Sequence, residues 1–193
     1  MITAALVLAA GQSRRFGVRD KLTAPLDGRP LLAHVLAALA LPELPLRLAV
    51  VSSDAVERIA GDAGFGTLRI APGLPMADSL RSGLAVLRAR GAGRLLVALG
   101  DMPWIGGADI RALLDFPPAE AACAACAEVP MPPAVFPAAM FDMLASLAGD
   151  RGAGALLRDI PAARRLALPA ARLRDVDRPD DLHGGASAGA SAG

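Results

Sequence analysis

The chain has 193 residues, of which 54% are hydrophobic and 20% charged, and this length and composition predict one globular domain with its own core. A net charge of +1, an aromatic content of 3% and the absence of tyrosine exclude the basic surfaces and base-stacking platforms of nucleic-acid-binding proteins. Two cysteines imply no disulfide framework. No apolar run reaches the ~20 residues needed to cross a bilayer. We therefore expect a cytoplasmic protein that binds neither nucleic acid nor a membrane.

Strands and helices are predicted to alternate over the N-terminal half. The apolar run 3–10 ends at Gly11 and has no basic segment before it, which favours a buried strand over a secretion signal. Pro30 is placed to open a helix that continues to residue 40. The same reasoning predicts, in chain order, strands at 46–52, 67–71 and 94–99, and helices at 55–63, which Asp54 could cap, and at 77–90.

The C-terminal half has a weaker pattern, because small residues and prolines dominate from residue 121. Helices are predicted at 138–147 and 152–159, a short strand at 174–176 and a helical turn at 179–182. Residues 184–193 are Gly, Ala and Ser and predict a disordered tail after a single domain of residues 1–183. Strands that alternate with helices predict an α/β fold with a three-layer, Rossmann-like, mostly parallel sheet.

The loop after the first predicted strand has the residues of an anion site. It offers backbone N–H groups from Gly11 onward, the adjacent arginines Arg14 and Arg15, and Lys21, the only lysine among 20 basic residues. The loop is not a Walker A sequence and lacks the glycine fingerprint of dinucleotide folds, which disfavours a dinucleotide-dependent oxidoreductase. From the residues alone, a phosphate loop and a solvated basic turn remain equal alternatives.

The segment Leu8-Ala9-Ala10-Gly11-Gln12-Ser13-Arg14-Arg15-Phe16-Gly17, followed by Lys21, resembles the signature of the MobA/MocA-like nucleotidyltransferases. That family includes the molybdenum cofactor cytidylyl- and guanylyltransferases, and has the fold of the nucleotide-diphospho-sugar transferases. The resemblance implies that the loop wraps an NTP. The residues that it implies in nucleotide binding are Leu8, Ala9, Ala10, Gly11, Ser13, Arg15 and Lys21.

A candidate metal motif follows the predicted strand 94–99. Read alone, Gly100-Asp101-Met102-Pro103 is a turn, but together with the first loop it resembles the family's G-D-x-P motif. A carboxylate at the end of a strand suits Mg²⁺, which prefers one or two carboxylates plus phosphate and water oxygens. The segment 175–182 resembles a second family motif that brings Asp177 to the same metal, with a capping turn as the alternative. The resemblance thus implies Mg²⁺ on Asp101 and Asp177.

Two further segments bear on the nucleobase and the acceptor. Ser79, Ser82 and Gly83 share one face of the predicted helix, and the resemblance implies base contact by Ser79 and Gly83. The alternative is an ordinary helix start capped by Asp78 or Ser79.

The segment 149–157 resembles the acceptor region of the molybdenum cofactor cytidylyltransferases and implies acceptor contact by Asp150 and Gly152. Here Gly154 replaces an expected arginine and Met131 an expected glycine, and a capped helix start is the alternative.

The cysteines and histidines do not form a metal motif. Cys123 and Cys126 have no second pair, and on a strand they would point to opposite faces, which is typical of core residues. His34 lies in an apolar helical stretch and is interpreted as structural, whereas His183 is assigned no role.

The resemblance implies a Mg²⁺-dependent enzyme that transfers CMP from CTP to molybdopterin and releases pyrophosphate, with a molybdoenzyme as a possible protein partner. Lys21, Arg15 and Asp101 are the catalytic residues that it implies. The alternatives are a guanylyl- or sugar-phosphate nucleotidyltransferase, and a non-catalytic, regulatory nucleotide-binding module.

Overall fold

Strands and helices alternate through the computed structural model, which describes residues 1–11, 16, 20–149 and 154–183. The strands are β1 (Ile2–Ala9), β2 (Pro25–Leu26), β3 (Arg29–Pro30), β4 (Leu46–Val51), β5 (Gly66–Arg69), β6 (Ala92–Leu99), β7 (Ala122–Cys126), β8 (Val129–Pro137) and β9 (Arg165–Ala167). The α-helices are α1 (Leu31–Leu39), α2 (Asp54–Asp62), α3 (Met76–Ala89), α4 (Gly107–Leu114), α5 (Phe141–Ala145), α6 (Gly154–Arg158) and α7 (Ala170–Leu173). Turns of 3-10 helix lie at Lys21–Thr23, Ala138–Met140, Ala162–Arg164 and Pro179–His183.

In the described residues, the main sheet has seven strands in the order β5-β4-β1-β6-β8-β7-β9. The strands β5, β4, β1 and β6 are parallel to one another. Strand β8 runs antiparallel to its neighbours β6 and β7, and β9 is again parallel to β7. The predicted α/β fold with a mostly parallel sheet is therefore confirmed, with β8 as the reversed strand.

Helices cover both faces of this sheet. Strand β1 illustrates the arrangement, because Ala5 and Val7 contribute to one buried cluster while Ala4 and Leu6 contribute to the other. Residues of α1, α2 and α4 complete the first cluster, and residues of α3, α5 and α6 complete the second. A strand covered on both faces is apolar along its whole length, which is why β1 shows no alternation in sequence.

The two cysteines lie on β7 and on opposite faces of the sheet, as predicted. Cys123 is fully buried in the cluster with α3, whereas Cys126 packs against the cluster with α1. Burial raises the pKa of the Cys123 thiol. His34 on α1 lies with its Nε2 2.8 Å from the carbonyl oxygen of Leu26, so it joins the helix to the small β2–β3 hairpin, consistent with its structural interpretation.

Several predicted elements are corrected by the structure. The expected strand at 174–176 does not form, the expected helix at 138–147 is a 3-10 turn followed by α5, and β7 and β8 lie where only a weak pattern was recognised. Helix α2 begins after Ser53, whose hydroxyl accepts from the Val56 N–H, so Asp54 is not the cap. Helix α3 begins after Pro75, not after Asp78 or Ser79.

The predicted tail, 184–193, lies outside the described residues. In the part of the chain that the structure covers, no helix is both long enough and apolar enough to span a membrane.

Candidate active site

The site lies where the chain reverses its direction across the sheet. From β1 the chain adds β4 and β5 on one side, and then crosses to add β6 on the other. The carboxyl ends of neighbouring parallel strands form a crevice at such a switch point, and ligands of α/β proteins bind there. Strands β1 and β6 pair up to Leu8 and Leu99, so both loops start at the same edge.

Gly100 holds the two strand ends together. Its N–H donates to the carbonyl oxygen of Leu8 at 3.0 Å. A Cβ at this position would lie 3.2 Å from Leu32 Cδ1 and 3.3 Å from the Leu8 carbonyl oxygen, which is tighter than most Cβ contacts. A glycine therefore suits this close approach, and the next residue, Asp101, follows at the carboxyl end of β6.

Lys21, Asp101 and Asp177 converge at this edge. The Lys21 ammonium donates to Asp101 Oδ2 at 2.7 Å, although the two residues are 80 positions apart in the chain. It also donates to Asp177 Oδ1 at 3.2 Å, across 156 positions. The Lys21 side chain is 13% exposed, against 22% for Asp101 and 45% for Asp177, so the group lines an open crevice and is not buried in the core.

The two carboxylates hold the lysine in its charged form. Burial of the Lys21 ammonium lowers its pKa, but the negative charge of Asp101 and the hydrogen bonds to Asp101 and Asp177 outweigh burial. The pKa of Lys21 therefore lies above its ordinary value. A full positive charge faces the crevice at neutral pH.

Asp177 is placed by backbone hydrogen bonds and not by a strand. The Val176 N–H donates to the carbonyl oxygen of Asp101 at 2.9 Å, and the Val176 side chain is fully buried. Asp181 Oδ2 accepts from the N–H groups of Asp177 and Arg178, at 2.9 and 2.7 Å, and these bonds lower the pKa of Asp181. The segment thus lies against the loop after β6, which explains the absence of the predicted strand.

Asp101 retains a free acceptor. Its Oδ1 is buried and has no hydrogen-bond partner among the described residues, which is costly for a carboxylate oxygen unless a ligand completes it. Within the described residues, no group of three or more His, Cys, Asp or Glu side chains forms a metal cage. Two carboxylates with one open oxygen suit a hard cation that keeps water and substrate oxygens as its other ligands.

A cleft of about 340 Å³ opens beside Lys21 and Asp101. Its volume is in the range of small-molecule sites. The lining residues come from the ends of β1 and β6, the Lys21 turn and the start of α3: Leu8, Ala9, Ala10, Gly11, Lys21, Leu22, Gly73, Leu74, Met76, Ser79, Leu99 and Asp101.

Most described residues of the sequence prediction line this cleft, and two do not. Ser79 lines it and is buried, whereas Gly83 and Asp177 are not among the lining residues, although Asp177 accepts a hydrogen bond from Lys21. Gly83 lies one turn further along α3, where a Cβ would overlap with Leu6 Cδ1. Ser13, Arg15, Asp150 and Gly152 fall outside the described residues.

Sequence reasoning missed the turn before α3 and the first residue of that helix. Gly73, Leu74 and Met76 line the cleft, and the side chains of Leu74 and Met76 are exposed. These residues carry no reactive group. The signal that could have found them is the turn Pro72-Gly73-Leu74-Pro75 directly before the helix that carries Ser79.

Solved structures similar to this chain extend over nearly all of it. Rv0371c from Mycobacterium tuberculosis H37Rv is 27% identical with a TM-score of 0.78, and the match covers 95% of this chain and 96% of that one. A structure of Rv0371c in complex with manganese is also similar, at 26% identity and a TM-score of 0.78, covering 96% of this chain and 98% of that one.

Curated relatives match a shorter part of the chain. A probable molybdenum cofactor guanylyltransferase of Pyrococcus horikoshii is 35% identical over 101 residues, which are 51% of this chain and 48% of that protein. The bifunctional protein GlmU of Rhizobium rhizogenes is 35% identical over 114 residues, 56% of this chain, and the match spans 25% of GlmU.

The family model described as the MobA-like NTP transferase domain matches residues 5–167. The matched region contains Lys21, Ser79 and Asp101, while Asp177 lies beyond it. The match covers most of the chain and both loops that meet at the switch point. The chain therefore belongs to the MobA-like NTP transferase domain family.

Proposed function

We propose that this protein is a divalent-metal-dependent nucleotidyltransferase that moves a nucleoside monophosphate from an NTP to a phosphorylated small molecule. The observation that carries the proposal is the convergence of Lys21 and Asp101, whose Nζ and Oδ2 atoms lie 2.7 Å apart beside the cleft. An ammonium and a metal-binding carboxylate at one phosphorus are the charges that phosphoryl chemistry needs.

The reaction is an in-line displacement at the α-phosphorus. A phosphate oxygen of the acceptor forms the new P–O bond, the bond from the α-phosphorus to the bridging oxygen breaks, and pyrophosphate leaves with the bonding electrons. Lys21, positively charged and directed at the cleft, stabilises the charge that develops on the α-phosphoryl oxygens. By the family resemblance, Arg15 binds the departing pyrophosphate.

The donors at this edge fit a divalent cation. Asp101 would hold it through Oδ1, which accepts no hydrogen bond from the described residues, and Asp177 would supply the second carboxylate. When bound, such an ion neutralises phosphate charge and orients the phosphate oxygens. Mg²⁺ is the proposed ion because the remaining ligands would be water and phosphate oxygens, and the manganese complex of Rv0371c supports a divalent cation in this fold.

The nucleoside is proposed to lie toward α3. Leu74 and Met76 provide an apolar wall for a flat base, and the Ser79 side chain provides a hydroxyl on the cleft side of the helix. These groups come from the start of α3 and the turn before it, whereas Lys21 and Asp101 follow β1 and β6. This orientation leaves the phosphates beside Lys21.

CTP and molybdopterin are the proposed substrates, on the resemblance to the cytidylyltransferase branch. Asp150 and Gly152 are the proposed acceptor contacts. GTP is the second candidate, because the Pyrococcus horikoshii relative is a probable molybdenum cofactor guanylyltransferase.

The test is pyrophosphate release from each of the four NTPs, with Mg²⁺ or Mn²⁺ and a panel of phosphorylated acceptors that includes molybdopterin. We expect release with one NTP, and a loss of about 10²–10³ in kcat for Lys21→Met and for Asp101→Asn. The exposed Asp62→Asn at the end of α2 is the matched control and should retain full activity.

Two results would overturn the proposal. Unchanged turnover in Lys21→Met would remove the role of the ammonium. Tight, Mg²⁺-dependent NTP binding in thermal-shift titrations, without pyrophosphate release from any acceptor, would indicate the regulatory nucleotide-binding module instead.

A further inference from the structure

The residue before Lys21 fastens the turn from which the lysine extends. Asp20 precedes the 3-10 turn Lys21–Thr23, and its Oδ1 accepts from the Leu22 N–H at 3.1 Å. Its backbone carbonyl accepts from the Thr23 N–H at 3.0 Å and from the Thr23 hydroxyl at 2.8 Å. The backbone at Lys21 is thus enclosed by hydrogen bonds to Asp20.

The second carboxylate oxygen of Asp20 joins this turn to a different part of the fold. The Ser53 hydroxyl donates to Asp20 Oδ2 at 3.2 Å, and Ser53 Oγ accepts from the Val56 N–H at 3.4 Å. Ser53 lies between β4, a central strand of the sheet, and α2, and the Val56 side chain is fully buried. The Asp20–Ser53 hydrogen bond therefore connects the Lys21 turn to a fixed point of the core.

Charge and hydrogen bonding suggest different roles for Asp20. A carboxylate and a triphosphate carry charges of the same sign, so the charge of Asp20 offers no attraction to the proposed substrate. Lysine has a long, flexible side chain that binds phosphate as a point charge, so the position of its backbone decides where that charge is placed. The hydrogen bonds of Asp20 can position Lys21, whereas the charge of Asp20 cannot.

We propose that Asp20 is a positioning residue, which acts through Ser53 to fix the Lys21 ammonium at the reacting phosphate. This inference rests on the proposed nucleotidyl transfer. A hydrogen bond of ordinary strength lost in the transition state corresponds to about a tenfold loss in kcat. The KM for the NTP should change less than kcat, since the wall of Leu74 and Met76 is untouched.

Two variants separate the hydrogen bond from the charge. In Asp20→Asn the amide oxygen can still accept from the Leu22 N–H, but the atom that faces Ser53 becomes an NH₂ nitrogen, which cannot accept from the Ser53 hydroxyl. Ser53→Ala removes the same hydrogen bond and leaves the Asp20 charge in place. Both variants are expected to lower kcat about tenfold, and the double variant to lower it no further than either single change.

The position of Lys21 can be observed without turnover, because it is the only lysine of the chain. Protein labelled with ¹³C-lysine gives one ε-methylene signal, which reports on this side chain alone. We expect a shifted or broadened signal in Asp20→Asn and in Ser53→Ala. The matched control is Asp54→Asn, at the same end of α2, where the exposed carboxylate pairs with Arg69, and it should leave both kcat and the signal unchanged.

The outcomes distinguish this inference from the proposed function. An active wild-type protein whose kcat and lysine signal are both insensitive to the two variants would overturn the role of Asp20. A wild-type protein that releases no pyrophosphate would overturn the proposed function, and the lysine signal would still decide whether Asp20 positions Lys21. Equal losses of thermal stability and kcat with an unchanged lysine signal would indicate a purely structural residue and would also overturn the inference.

Discussion

Lys21 neutralises two carboxylates that otherwise repel each other. Its ammonium lies 2.7 Å from Asp101 Oδ2 and 3.2 Å from Asp177 Oδ1, so it lies between the two carboxylates that we propose to hold a divalent cation. A cation that enters without nucleotide meets this positive charge. With nucleotide present, the triphosphate offers the lysine another anionic partner.

The first prediction follows from that competition. We expect Mn²⁺ to bind the wild-type protein weakly without NTP, and Lys21→Met to bind it at least about tenfold more tightly, because the repelling charge is gone. Electron paramagnetic resonance of free Mn²⁺ measures both affinities. Asp101→Asn is the control and should bind weakly in either background. Equal Mn²⁺ affinity in wild type and Lys21→Met would contradict the prediction.

The residues of the site were predictable where they carry a charge in a recognisable motif. Lys21 and Asp101 belong to such motifs, and the structure brings them together. Gly83 was placed on the same helix face as Ser79, but one helical turn advances about 5.4 Å along the axis. That advance carries Gly83 away from the strand ends and onto Leu6. Sequence spacing predicts which residues share a helix face. How far each of them lies from the cleft depends on how the helix packs against the sheet.

At the scale of the element, α3 and the sheet are in contact at a glycine. A Cβ at Gly83 would overlap with Leu6 Cδ1 and lie 3.0 Å from Val50 Cγ2, and both neighbours are fully buried. The helix can therefore approach β1 and β4 only because this side chain is missing. The proximity of Ser79 to the cleft depends on the same docking.

The second prediction compares two helical glycines. Gly83→Ala should lower the free energy of unfolding by about 1–3 kcal/mol, since the added methyl group displaces Leu6 in a packed core. Gly61→Ala, on α2, should raise it by up to about 1 kcal/mol through helix propensity, because no described atom lies within 4 Å of the added Cβ. Urea unfolding measures both. A Gly83→Ala protein as stable as Gly61→Ala would show that α3 is not docked this closely.

Sequence patterns predicted the parallel half of the sheet better than the rest. Strands β1, β4 and β6 are rich in aliphatic residues, with one arginine each in β4 and β6. Strand β8 instead contains Pro130, Pro132, Pro133 and Pro137 and lies between two other strands, a position that proline normally avoids. The register shifts within this pairing, from Cys123 opposite Ala134 to Ala124 opposite Met131, so two of the prolines lie in the irregularity. Local propensity could not reveal a strand that tertiary pairing imposes.

At the scale of the whole molecule, the burial of Cys123 indicates whether the sheet is folded around β7. Cys123 is fully buried on β7, and burial raises the pKa of its thiol. Because the thiol pKa is higher in the folded than in the unfolded state, the unfolded state deprotonates first as the pH rises. Deprotonation then stabilises the unfolded state relative to the folded state. The contribution of this group to stability is therefore complete below about pH 8.5 and is lost as the pH rises further.

The third prediction uses this burial. In Cys126→Ser, where Cys123 is the remaining thiol, reaction with a disulfide reagent should be slow under native conditions and become fast across the urea unfolding transition. Cys123→Ala, which leaves the half-buried Cys126, is the comparison and should react at a measurable rate in the folded protein. Rapid native-state reaction of Cys123 would show that β7 opens without global unfolding.

The three charged groups of the cleft are contributed by distant parts of the chain, with 156 positions between Lys21 and Asp177. During synthesis, β1, β4 and β6 can pair while the residues that place Asp177 have not yet left the ribosome. The Val176 N–H that docks on Asp101 arrives after the rest of the sheet. The crevice between β1 and β6 can therefore form before Asp177 is in place, so the second carboxylate of the proposed metal site is positioned later than Lys21 and Asp101.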